Sequence, residues 1–230
     1  SLLDTLGKDK CPKIEITHFY AYKDNIDEIW QGVALIYKLR QEGLDINFDL
    51  SPFTLISNPI YLYLPIWFRY GNFEMMLKNL KNKGIVRRLL DDFKQKKYDF
   101  SKIMVSANPN NIPFINGKSI DYLAKERGIN PEEMFLEIFK MTKGKAIILS
   151  DELSWPETLG LLESDLSLVS TNSPTLNYSN FDFLPQPASF NTFLRFLSLE
   201  KEDKISLPFF KAINKITLQP ATKFGFKKRG

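Results

Sequence analysis

The chain holds a single cysteine and a single histidine among its 230 residues, and each scarcity closes off a class of protein. One cysteine, Cys11, leaves no internal disulfide and no CxxC zinc site; this usage fits a reducing compartment and predicts a cytoplasmic protein. One histidine, His18, leaves no second imidazole in the chain to share a metal with it. No apolar run approaches the ~18 residues of a membrane span, and no basic leader precedes an apolar stretch, so no membrane association is expected. The formal charge is +4, but the basic residues are scattered and the dense cluster is the closing "KFGFKKRG". Without a basic stripe or a recognised binding motif, no nucleic-acid partner is expected.

What is present is an ordinary globular composition, 43% hydrophobic and 25% charged, long enough to bury a substantial core. Short apolar strands alternate with capped helices. "KIEITH" reads as a strand, and Asn25 to Gly43 as a helix with Ile26, Ile29, Trp30, Val33, Ile36 and Tyr37 on one stripe. "LDINFDL" returns as a strand, helices follow around Asn72 to Lys83 and Ile85 to Lys97, and "KIMVSA" is a further strand. Gly128-Ile129-Asn130-Pro131-Glu132-Glu133 stops one helix and opens the next with a cap, a proline at the first helical position and a glutamate at the third. "KAIILS" and "LSLVST" read as strands around a helix opened by Ser154-Trp155-Pro156-Glu157. This alternation predicts βαβ units and a parallel sheet. From Pro174 a long polar and aromatic loop precedes helices near Asn191 to Leu199 and Ser206 to Leu218.

In a parallel sheet the ligand edge lies at the carboxyl ends of the strands. His18, Asp49 to Pro52, Ser106 to Asn108, Ser150 to Glu152 and Thr171 to Ser173 fall at those ends, a polar rim with one imidazole and several carboxylates. His18 there is either a metal ligand or a hydrogen-bonded structural imidazole. Asp49 either touches substrate or caps a turn before Pro52. Arg195 either forks onto a substrate carboxylate or pairs with an acid on a helix surface.

Five stretches in order carry a family resemblance from about Pro12 to Gly230. "ITHFYAYKDN" is similar to I-S-H-x-K, and "EGLDINFDLSPFT" to E-G-x-D-V-x-x-D-x-Y-P-Y-T. "LPIWF" follows, and "GKSIDYLAKERGINPEEMFLEIF" then resembles G-K-[ST]-[LI]-x-E-[LI]-A-x-x-R-G-x-x-P. The closing "ISLPFFKAINKITLQPATKFGFKKRG" resembles L-x-x-A-I-x-K-M-T-x-x-P-A-x-x-F-G-L-x-x-R-G. Together they resemble the C-terminal half of the N-acyl-D-amino-acid deacylases (D-aminoacylases), a branch of the metal-dependent amidohydrolases. The resemblance implies an α/β fold, strands five to eight of a TIM-type (β/α)8 hydrolase barrel. It would form one partial domain over residues 1–230, with a half-barrel over 12–174 and a loop and helices over 175–230. It also implies zinc as cofactor, His18 as the strand-five metal ligand, Arg195 and Asp49 as substrate-binding residues, and hydrolysis of the amide of a small N-acyl amino acid.

The departures from the family pattern fall on chemistry. The other metal ligands would precede Ser1, and Asn172 stands where the family has its catalytic aspartate. An amide cannot act as a base near neutral pH. Tyr20 replaces the strand-five lysine, Ser51 and Phe53 replace two tyrosines, and "QPASFNTFLR" keeps Pro187, Thr192, Phe193 and Arg195 while Gln186 and Ala188 replace a histidine and an arginine. Two functions follow as expectations. One is an amidohydrolase impaired or inactive as this chain alone; the other is a non-catalytic, degenerate amidohydrolase subunit with a scaffolding or regulatory role. Half of a parallel barrel leaves strand edges open, so a second polypeptide or a homodimer mate is expected to complete it.

Overall fold

The computed structural model describes residues 12–110, 112–171, 173 and 183–229; Cys11, Asn172 and most of the loop beginning at Pro174 lie outside the described residues. In chain order the elements are β1 (Ile14–Ile16), α1 (Ile26–Gln41), β2 (Ile46–Leu50), β3 (Leu55–Pro59), α2 (Phe73–Asn79), α3 (Lys83–Lys96), β4 (Ile103–Ala107), α4 (Ile120–Arg127), α5 (Pro131–Met141) and β5 (Ile147–Asp151). They continue with α6 (Trp155–Glu163), β6 (Ser167–Val169), α7 (Ala188–Lys201), α8 (Phe209–Ile216) and α9 (Leu218–Lys223). Two short 3-10 turns, Ile60–Tyr63 and Ile66–Phe68, follow β3. The chain divides into two compact units. One comprises the residues up to Thr54, those from Glu152 into the following loop, and those from Pro187 on; the other is built on Leu55–Asp151.

The first unit contains a three-stranded parallel sheet in the order β1-β2-β6. Its register sets Ile14 beside Ile46, Glu15 beside Asn47 and Ile16 beside Phe48, then Phe48 beside Ser167, Asp49 beside Leu168 and Leu50 beside Val169. Because side chains alternate along a strand, Ile14, Ile16, Ile46, Phe48, Leu50 and Val169 share one face while Glu15, Asn47, Asp49 and Leu168 share the other. The apolar face packs against Ile36 of α1, Leu161 and Leu162 of α6, Phe196 and Leu199 of α7, and Ala212 of α8. In α1 the expected stripe is narrower than the sequence pattern. Ile36 is buried and Ile29 and Val33 pack on the core, but Trp30 is 41% exposed and Tyr37 57%. The Trp30 ring instead approaches α6 at Gly160, where an added Cβ would stand 3.1 Å from its nearest carbon.

The second unit corrects the expected sheet. Residues 103–107 and 147–151 do not join the parallel strands. They pair antiparallel, with β5 central between β3 and β4. A short, continuously apolar strand such as "IIL" reads the same in either direction, so strand–helix alternation does not fix its polarity. The local signals held: α4 ends at Gly128, whose φ of +65° suits glycine, and α5 opens at Pro131 with the Glu133 carboxylate accepting the Asn130 N–H at 3.4 Å. An aromatic cluster fills this unit. Phe93 meets Phe135 edge-on at 5.2 Å and Phe100 at 6.2 Å, and Tyr63, 6.0 Å from Phe135, shares a 2.5 Å hydrogen bond with Ser150.

Candidate functional site

The carboxyl end of the β1-β2-β6 sheet gathers two of the residues singled out in the sequence. Asp49, near the end of β2, is 7% exposed and points away from the apolar face. Its Oδ1 accepts the Ser170 hydroxyl at 2.5 Å and the His18 backbone N–H at a long 3.4 Å, and its main-chain carbonyl accepts the Phe19 N–H at 3.0 Å. Through Oδ1 and its main-chain carbonyl Asp49 thereby ties the chain leaving β1 and the chain leaving β6 to β2. His18 itself has φ +58°, a left-handed conformation unusual for a side-chain-bearing residue, and lies exposed at the rim with its ring edge-on to Tyr20 at 5.6 Å.

Arg195 is engaged along its own helix. In α7 its Nη1 donates to Ser198 Oγ at 3.2 Å and to the Glu202 carboxylate at 3.1 and 3.3 Å, while the guanidinium lies 5.8 Å from the centre of the Trp155 ring. Of the remaining expected rim, Ser106-Ala107 and Ser150-Asp151 are the last residues of the antiparallel strands β4 and β5 of the other unit, and Asn108 follows β4. Asn108 closes its own loop there, donating to Ile112 O at 3.1 Å and Asn116 Oδ1 at 2.8 Å and accepting the Ile112 N–H at 2.7 Å. Asn108 thereby holds the turn after β4.

A residue missed in the sequence is Glu15. It sits mid-strand in β1 on the polar face, and both carboxyl oxygens are shielded from water with no hydrogen-bond partner. Burial, then repulsion from Asp49, push its carboxyl from the ordinary 4.5 up to about 7, with Asp45 adding and Lys223 opposing. The signal lay in "IEI": a charge between two core isoleucines must face the opposite side of the sheet. Lys223, which moderates Glu15, is itself held by Asp45, donating to its carboxylate and its carbonyl at 2.7 Å each.

Among the described residues no group of three His, Cys, Asp or Glu side chains converges to hold a metal ion. His18 offers one imidazole, and the carboxylate oxygen nearest its backbone already accepts Ser170. These described residues do not make a zinc centre by themselves.

Two small sheets, one parallel and one antiparallel, with helices packed on them define a mixed α/β fold like part of an amidohydrolase. The particular likeness is to solved deacylase structures. An N-acyl-D-glutamate deacylase from Bordetella bronchiseptica, complexed with zinc and a phosphonate inhibitor, superposes with a TM-score of 0.66 at 15% identity, over 98% of this chain and 39% of that one. A D-aminoacylase described as defining a novel subset of amidohydrolases gives 0.63 at 18% identity, over 94% of this chain and 36% of that one. A further D-aminoacylase structure, concerned with a binuclear metal centre, gives 0.62 at the same identity. This chain thus spans less than two fifths of the solved chains it resembles. No sequence-family profile matches it, and neither does any curated protein. No helix among the described residues is long and apolar enough to cross a membrane.

Proposed function

We propose that this chain is an amidohydrolase-like polypeptide, related to the N-acyl-D-amino-acid deacylases, that does not hydrolyse amides on its own. The observation that carries the reading is the fold likeness over nearly the whole chain, beside a sequence whose one imidazole, His18, is by the motif resemblance its share of the metal ligands. In this reading the chain's share of the barrel is its parallel strands β1, β2 and β6, one fewer than the four expected as strands five to eight, and a second polypeptide or a second copy supplies the remaining strands. The substrate class is an N-acyl amino acid, with zinc the metal expected of the completed assembly. His18 would be this chain's ligand, with Asp49 holding its backbone in place; Arg195 is the side chain suited to a substrate carboxylate once released from Glu202.

A specific observation favours a second reading, in which the chain keeps the fold as a non-catalytic scaffolding or regulatory subunit. Asn172 and Gln186 stand at positions where the family pattern has an aspartate and a histidine, and both lie inside the sequence, where an added partner cannot replace them. The test is zinc content after chelator-free purification, with His18→Ala as control, alongside release of free amino acid from an N-acyl-D-amino acid. The proposal expects no turnover by the chain alone, and none after Asn172→Asp. Metal-dependent release by the isolated chain would overturn it, whereas near-stoichiometric zinc lost in His18→Ala would support a site completed by a partner and weigh against the scaffolding reading.

A further inference from the structure

The second unit carries an open surface concavity of about 390 Å³ that belongs to neither the sheet rim nor the family pattern. Lys81, Lys83, Arg87 and Lys140 line it, and Val86 and Leu90 give it an apolar wall. Lys81 lies in the turn before α3, Lys83 and Arg87 stand four apart on α3, and Lys140 arrives from the last turn of α5. No carboxylate lines the cavity, and among the described residues none of these four cations is in an ion pair. Elsewhere in the same unit basic side chains do find acids: Lys102 with Asp99, Lys125 with Asp121, and Arg127 with Glu137. The acids of α3 lie further along the helix, and Asp92 accepts the Trp67 indole N–H at 2.7 Å. The helix end is not the recognition element, because Asn82 Oδ1 already accepts the N–H groups of Gly84 at 2.9 Å and Ile85 at 3.3 Å.

Four like charges around one concavity repel one another, and a surface that serves only solubility intersperses the two signs. An anion removes that repulsion, and an apolar wall rewards a ligand whose body is hydrocarbon. We propose that this cavity binds a small amphiphilic anion, a phosphate- or carboxylate-headed molecule with a short apolar chain. The head group sits among Lys81, Lys83, Arg87 and Lys140, and the chain lies on Val86 and Leu90. No residue of the parallel sheet takes part, so the inference stands apart from the amidohydrolase reading.

Calorimetric titration of the full chain with hexyl phosphate and with inorganic phosphate, at low salt, tests it. Hexyl phosphate should bind saturably and about tenfold more tightly than inorganic phosphate. The double substitution Lys83→Gln/Arg87→Gln, and separately Lys140→Gln, should each weaken it about tenfold or more without shifting the melting temperature, since all three side chains are exposed. Equal affinity for the two phosphates, no saturable binding, or binding indifferent to the substitutions would each overturn the proposal. Co-sedimentation with phosphatidic-acid vesicles, lost in the same variants, would assign the head group to a lipid; hexyl phosphate binding without sedimentation would assign it to a free metabolite.

Discussion

Replacing Glu15 by glutamine should change how stability depends on pH more than it changes stability at any one acidic pH. In the folded chain the Glu15 carboxyl is raised from 4.5 to about 7, first by burial and then by Asp49. Between those values the unfolded chain has lost the proton and the folded chain keeps it. Unfolding therefore releases a proton there, and stability falls as pH rises from the unfolded value through the folded one. Below the unfolded value the contribution is fully present; above the folded value it is gone. The full shift would be worth about 3 kcal/mol at 1.36 kcal/mol per pH unit, but the residue as a whole is only half-buried. Solvent screening reduces the expected slope to about 1–2 kcal/mol in total. Urea unfolding followed by far-UV circular dichroism, at several pH values from about 5 to about 8, reads this directly. The wild-type chain should lose about 1–2 kcal/mol more than Glu15→Gln across that range. Every other ionisable group is common to both chains and cancels in the difference. Parallel curves would refute the reasoning and show that water or a donor reaches the Glu15 carboxylate on the polar face of the sheet.

Further predictions concern packing and single contacts. Gly144→Ala should destabilise the second unit by about 2 kcal/mol or more in chemical denaturation, because φ is +74° and the new Cβ would lie 2.7 Å from the Phe73 ring and 3.0 Å from Phe139. Phe135→Ala should cost about 3–5 kcal/mol, since its ring is fully buried against Phe93, Phe100 and Tyr63. Lys215→Ala should cost about 3 kcal/mol. That ammonium is buried, and it donates to the carbonyls of Ser164 and Ser167 and to the Ser167 hydroxyl, so α8 would lose its polar tie to β6. Arg195→Ala should shift stability by less than about 1 kcal/mol in the same assay, because its Glu202 partner is half-exposed; a larger loss would mean that its stacking on Trp155 matters more than the ion pair.

Local structure was legible in the sequence because its causes are local. The Gly128–Asn130–Pro131–Glu133 punctuation carries its own stereochemistry, and the helix boundaries it predicts are those found. The alternation in "KIEI" and "INFDL" likewise determines which residues share a face, whatever the strands pair with. The sequence by itself therefore determined the helix boundary at Gly128–Pro131, the faces of β1 and β2, and the placement of His18 and Asp49 at one sheet end. It did not decide strand direction: "KIMVSA" and "KAIILS" pair antiparallel because a continuously apolar strand is satisfied by a partner of either polarity. Nor did it decide charge clustering. The basic residues look scattered along the chain, yet Lys140 joins Lys81, Lys83 and Arg87 around one concavity, and Arg195, for which the sequence left a substrate carboxylate and an acid on its helix equally open, pairs with Glu202. Backbone preferences act over a few residues and can be read in order; electrostatic and packing energies depend on distances in space, and only the folded chain sets those.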